Sequence, residues 1–128
     1  MSSEATTRDI HVRVETELDL ERSMPEQGRW FYLYTVTIAN QGSETVQLVA
    51  RHWIITDGDG QTEEVRGPGV VGHQPVLGPG QAFRYTSGCP LPTPDGTMHG
   101  VYEMVTTDGE SFDAQIALFE LTEQYLVN

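Results

Sequence analysis

The residues that most resemble a chemical device are Gly67, Pro68, Gly69, Val70, Val71 and Gly72, with Arg66 immediately before them. Their spacing matches G-x-G-x-x-G. In dinucleotide-binding folds such glycines let the backbone approach a pyrophosphate at the N-terminus of a helix. That chemistry needs a strand before the motif and a helix after it. Here Pro75, Gly78, Pro79 and Gly80 follow too closely for a helix to start. The lysine of a phosphate-binding P-loop is missing too, since the chain contains no lysine. Pro68 removes one of the amide donors an anion would use. What remains is a tightly wound inter-strand loop, whose turn amides can form a small anion nest with Arg66 as a cation beside it. Arg66, Gly67, Gly69, Val70, Val71 and Gly72 are therefore the candidate ligand or partner loop.

Other reactive residues lack partners at useful spacing. His11, His52, His73 and His99 show no HxH or HExxH pattern, and Cys89 has no second cysteine with which to build a metal site. Asp57-Gly58-Asp59-Gly60 resembles the start of a calcium loop but lacks the later ligands and the closing Glu, so a hairpin turn accounts for it better. Cys89 precedes Pro90 at a strand end, with no Cys-His-Asn order around it and no G-x-S-x-G elbow elsewhere; it reads as a small buried hydrophobe. Glu63 and Glu64 are adjacent, and on a strand they point to opposite faces, so they do not form a catalytic carboxylate pair. Trp53 is expected in the core, and His52 on the other face of the same strand beside Arg51. No constellation points to an enzyme, and no cofactor is implied.

Charge narrows the partners. Nineteen acidic residues stand against 7 basic ones, a net charge of -12. Phosphate neutralisation needs clustered Lys and Arg, so neither nucleic acid nor an anionic membrane surface is an expected partner. No apolar run approaches the ~18 residues of a spanning helix. The N-terminal stretch MSSEATTRDI has neither the basic nor the apolar region of a signal peptide, and the single cysteine forms no internal disulfide. Cytoplasm is the expected compartment.

The elements that must position these residues are strands. Ile10, Val12, Val14, Thr16, Leu18 and Leu20 alternate with His11, Arg13, Glu15, Glu17 and Asp19, the period-two pattern of a half-buried strand. Residues 30–38 have central-strand composition. Residues 45–56 form a third strand, long enough to bend or bulge near Ala50 and Arg51. Asp57 to Gly60 turns it back into 61–65. Residues 66–80 hold five glycines and three prolines and form a loop. Strands follow at 82–89, 98–106 and 111–117, separated by a Pro-rich turn at 90–96 and an Asp108-Gly109 hairpin. The pattern predicts a single antiparallel β-sandwich, all-β and immunoglobulin-like or fibronectin type III-like, with seven to eight strands. Residues 1–9 are expected to be a flexible N-terminus, 10–121 the domain and 122–128 a C-terminal tail.

Three stretches carry a family resemblance: YTVTIANQGSETVQLVARHWIITDGDG, EEVRGPGVVGHQPVLGPG and FRYTSGCPLPTPDGTMHGVYEM. They resemble the ApaG family, also called CorD, from about Ile10 to about Leu121. One departure lies at Ile116-Ala117-Leu118-Phe119, where the family often has prolines before its final Phe. The resemblance implies a fibronectin type III or immunoglobulin-like sandwich and no defining catalytic activity. It also implies a genetic link to cobalt resistance and magnesium efflux, and bacterial genes near a diadenosine tetraphosphate hydrolase. Similar domains occur in a eukaryotic F-box protein and in a DNA polymerase delta interacting protein, where a protein-interaction role is inferred. The family's Gly-rich string falls on 66–72, the usual suspect for ligand contact; no metal ligands carry over. The expected function is a non-enzymatic protein-interaction module, ahead of nucleotide or pyrophosphate binding (diadenosine tetraphosphate, for example) at 66–72, and of direct divalent-cation binding by the acidic surface.

Overall fold

The computed structural model describes residues 2–123, which form nine strands in two antiparallel sheets packed face to face. The first sheet has the order β1 (Ser2–Thr7), β2 (Ile10–Leu18), β3 (Trp30–Asn40), β7 (Ala82–Leu91). The second has the order β5 (Thr62–Pro68), β4 (Val46–Asp57), β8 (Gly96–Thr106), β9 (Ser111–Leu121), and β6 (Val76–Leu77) pairs with the start of β4. One 3-10 turn, Pro25–Gln27, interrupts the loop between β2 and β3. Among the described residues no helix is long and apolar enough to cross a membrane. The all-β sandwich expected from the alternation is the observed architecture.

The core lies between the sheets; β2 follows the predicted phase through Ile10, Val12 and Val14, but it ends at Leu18, and Leu20, expected on the same face, is 60 % exposed. Val12 and Val14 of β2, Tyr32, Val36 and Ile38 of β3, and Tyr102 and Met104 of β8 are buried. Trp53 sits at the centre, 2 % exposed, with its ring edge-on to Tyr34, Tyr102 and Phe119 at centroid distances of 5.4, 6.0 and 5.9 Å. Such contacts add to the large area each ring removes from water.

Two bulges set which side chains reach this core. The β4–β8 register shifts between Leu48 and Ala50, so Val49 is the extra residue. Before it, Val46 and Leu48 face inward; after it, Trp53 does. The bulge expected near Ala50 and Arg51 is thus present, and it moves the odd-numbered residues, Arg51 included, to the inner face. The second shift lies between Met98 and Gly100, opposite Phe119 and Ile116 of β9. It carries the inward phase from Ala114 and Ile116 to Phe119 and Leu121 and leaves Leu118 56 % exposed.

Several boundaries differ from the sequence reading. Residues 1–9, expected to be flexible, include β1, which pairs along its whole length with β2. The β7 strand runs through Pro90 to Leu91, into the expected turn; an edge strand tolerates the missing amide of proline. The strand expected at 111–117 continues to Leu121. The loop expected at 66–80 is divided, because Arg66 to Pro68 complete β5 and Val76–Leu77 form β6. These additions give nine strands rather than seven or eight. The expected tail at 122–128 lies outside the described residues from 124 onward.

Candidate functional site

The structure does not gather the six candidate residues into one pocket. Arg66 and Gly67 belong to β5 and take opposite faces of the sheet. Arg66 pairs across the ladder with His52 on the outer face, and its Nη2 lies 3.5 Å from Glu64 Oε1. His52 Nε2 lies 2.7 Å from the same oxygen. Hydrogen bonds from His52 and Arg66 hold the exposed Glu64 carboxyl below its ordinary range. Arg66 is thus part of a surface polar row, turned away from the face on which Gly67 lies.

Beyond Pro68 the chain makes a tight turn. Val70 and His73 exchange both backbone hydrogen bonds at 2.8 Å, which leaves Val71 and Gly72 as the two central residues. Both have positive φ, 42° and 83°, as a primed hairpin turn requires. Glycine suits such a position. Valine does not: its branched Cβ is crowded there, and a β-branched residue at positive φ is an outlier. Val70 is 1 % exposed and plugs the core, whereas Val71 is 52 % exposed at the tip.

The amides of this turn are largely occupied. Gly69 N–H donates to the carbonyl of Val49, the bulge residue, at 3.0 Å, and the amides of Val70 and His73 bond each other's carbonyls. Gln74 Nε2 donates to the same Val49 oxygen at 2.9 Å. Pro68 has no N–H. The donors that an anion nest at 66–72 would require are therefore mostly committed to the fold.

Arg51, which the sequence sets beside His52 but outside the candidate loop, is the residue that holds the turn. Its Nη1 donates to the carbonyl oxygens of Pro68 and Gly69, both at 2.9 Å, and so braces the turn from inside the sandwich. Gly67 leaves it room: a Cβ there would lie 3.1 Å from the guanidinium nitrogens, a tight contact. Gly69 has φ of 62°, and a Cβ on it would run into the His73 carbonyl oxygen. The only sequence signal for this role was the bulge itself, which decides the face Arg51 takes.

The remaining candidates behave as small structural parts. Cys89 is buried, and burial, followed by the nearby Glu63 charge, pushes its thiol up to about 12. Such a thiol stays protonated at neutral pH and is a poor nucleophile. Asp57 Oδ1 accepts from the amides of Asp59 and Gln61 at 2.9 and 3.0 Å, the work of a hairpin turn. Glu63 and Glu64 face opposite sides of β5, as their adjacency predicts: Glu64 meets His52, and Glu63 lines a cleft between the sheets. Among the described residues no three His, Cys, Asp or Glu side chains converge as metal ligands.

Comparison with known proteins agrees with the geometry. The family model described as the ApaG domain matches residues 20–106. An ApaG protein of Methylobacterium sp. (strain 4-46) is 59 % identical over 117 residues, covering 91 % of this chain and 90 % of that one. One from Methylocella silvestris is 57 % identical over 122 residues, covering 95 % of this chain and 94 % of the relative. A crystal structure of the ApaA protein from Bordetella pertussis superposes with a TM-score of 0.88 at 50 % identity, covering 92 % of this chain and 96 % of that chain. With the family model spanning most of the sandwich and relatives this similar from end to end, the chain belongs to the ApaG family.

Proposed function

We propose that this chain is a non-enzymatic protein-interaction module of the cytoplasm, which contacts its partner through the tip of the 69–73 turn. Its role in cobalt resistance and magnesium efflux is indirect, through that partner. The observation that carries the reading is Val71. It is an exposed apolar side chain held at a φ of 42°, on a turn braced by Arg51 below and by Val49 beside it. Strain of this kind costs of order 1–3 kcal/mol and persists where the surroundings impose it. A rigid apolar knob loses little entropy on docking. Nucleotide or pyrophosphate binding has less support, since Arg66 points away from the turn and three of its amides are engaged. Direct divalent-cation binding has only the diffuse acidic surface behind it.

The test compares Val71→Gly with the parent protein. Glycine relieves the left-handed strain and adds chain entropy when unfolded; these offset, so stability should change by less than about 1 kcal/mol. Both proteins are used to capture partners from Methylobacterium lysates grown with and without added cobalt. A specific protein bound by the parent and retained about tenfold less by Val71→Gly is the expected result, equivalent to about 1.4 kcal/mol of contact. Equal capture by both, or no capture by either, would refute the reading.

A further inference from the structure

The two long sides of the sandwich differ. On one side β1 closes against β9: Ser3 Oγ donates to the carbonyl of Ala117 at 2.9 Å, and Gln115 N–H donates to Thr7 Oγ1 at 3.0 Å. On the other side lie β5 and β7, each a sheet edge with no further strand beside it among the described residues. Between them is a cleft of about 270 Å³ lined by Tyr34, Arg51, Trp53, Glu63, Ser87 and Cys89, with Val65, Ile55 and Met98 supplying apolar wall. Scaled from an engineered cavity of about 150 Å³ that takes benzene, this space suits a ligand of roughly ten non-hydrogen atoms.

Two residues that line this cleft carry donors not fully matched among the described residues: Arg51 has no carboxylate partner, and Trp53 Nε1–H has no acceptor at all. The guanidinium of Arg51 gives Nη1 to two neutral carbonyls, and no carboxylate pairs with it among the described residues, although the chain carries a net charge of -12. Trp53, 2 % exposed, has a buried Nε1–H with no hydrogen-bond partner. A buried donor in that condition is costly, and native proteins rarely leave one. Arg51 and Trp53 are i and i+2 on the inner face of β4, about 7 Å apart along the strand, and both line the cleft. Tyr34 faces them from the other sheet, with its ring 5.4 Å from that of Trp53.

The cleft also sets a limit on charge. Glu63, paired with Ile55, lies on the same face of β5 as Gly67, which pairs with Arg51. The two are four positions apart, about 13 Å along the strand. One end of the cleft is therefore cationic, the middle apolar and the other end anionic. A ligand with one negative charge and an apolar body fits that order; a phosphate dianion meets Glu63 and the negative field of the whole protein.

We propose that the cleft between β5 and β7 binds a small monocarboxylate, its carboxylate held by Arg51 and Trp53 Nε1–H and its apolar body lying along Trp53 and Val65. This site is distinct from the turn tip that carries the partner reading, although Arg51 reaches both.

The experiment follows the indole N–H resonances of Trp30 and Trp53, assigned with Trp30→Phe, during titration of the full chain. The probes are hydrocinnamate, its neutral analogue hydrocinnamyl alcohol, and phenyl phosphate as a dianion. Hydrocinnamate should shift the Trp53 resonance saturably with a Kd of order 1 mM, ordinary for a ligand of this size. The alcohol and the phosphate should each bind about tenfold more weakly. Arg51→Gln should weaken hydrocinnamate about tenfold. Because Arg51 also braces the 69–73 turn, Glu63→Gln serves as a second variant on an exposed position. It should tighten hydrocinnamate about threefold and phenyl phosphate more, through removal of a repelling charge. Val71→Gly should leave all three affinities unchanged. A Trp53 resonance that stays still to roughly 10 mM, ten times that Kd, would overturn the proposal. So would an alcohol that binds as well as the acid.

Discussion

At the scale of single residues, the interior of this sandwich holds acidic protons that water would otherwise help to remove. The Tyr85 and Tyr102 hydroxyls hydrogen-bond each other in the core, and burial raises both, together with Tyr34. Cys89 is pushed up to about 12 by burial and the Glu63 charge. The sign of the consequence follows directly. Above about pH 8.5 the unfolded chain releases the thiol proton while the folded chain keeps it, so stability falls as pH rises. The tyrosines add to the fall from about pH 10. Urea midpoints measured at successive pH values should therefore decline from about pH 8.5 in the parent protein and only from about pH 10 in Cys89→Ala. An identical decline in both proteins would remove Cys89 from the account.

At the scale of elements, the bulges govern which side chains matter. In β9 the phase change makes Phe119 a core residue and leaves its neighbour Leu118 on the surface. Phe119→Ala should lower the unfolding free energy by about 3–5 kcal/mol, through lost burial and the cavity left behind. Leu118→Ala should change it by no more than about 0.5 kcal/mol. Denaturant unfolding of the two variants checks this, and similar losses in both would mean that the register is misplaced. The same logic explains why Arg51 was hard to recognise. Alternation from Val46 and Leu48 puts Arg51 on the solvent face, whereas alternation back from a core Trp53 puts it inside, and the place of the bulge decides between them. The extra residue at Val49 turns it inward, where it braces the 69–73 turn and lines the cleft.

At the scale of the whole molecule, the asymmetry of the sandwich sides is the organising feature. The β1–β9 side is tied by hydroxyl-to-backbone hydrogen bonds that join the two sheets. The double variant Ser3→Ala, Thr7→Ala should cost about 1–3 kcal/mol, from two net hydrogen bonds of about 0.5–1.5 kcal/mol each. Amide exchange should rise along β1 and β9 in that variant and stay unchanged at β5 and β7. If exchange rose equally across both sheets, β1 would not be a local clasp. The open β5–β7 side carries charged and proline residues, Glu63, Glu64, Arg66 and Pro68 on one strand and Arg84 and Pro90 on the other. Such residues discourage sheet edges from pairing with other copies.

The sequence by itself determined the local parts of this protein. Alternation in 10–20 and 98–106 and the aromatic and β-branched composition of 30–38 marked strands, because period and composition are properties of neighbouring residues alone. Asp57 to Gly60 and Asp108-Gly109 marked hairpins, because positive φ favours those residues. The long strings around Arg51 to Asp57, Arg66 to Gly80 and Tyr85 to Met104 were enough to indicate the family. The tertiary structure alone decided what depends on pairing between distant segments. It made an edge strand of Ser2–Thr7, whose partner β2 lies across a turn of unusual backbone geometry at Arg8 and Asp9. It divided 66–72 into an outward Arg66, an inward Gly67 and a strained tip at Val71. It also left one side of the sandwich open around Arg51 and Trp53. One inserted residue reverses every side chain after it; the sequence indicated the insertion near Ala50 and Arg51, but not the shift of β9 opposite Met98 and Gly100, which depends on the facing strand.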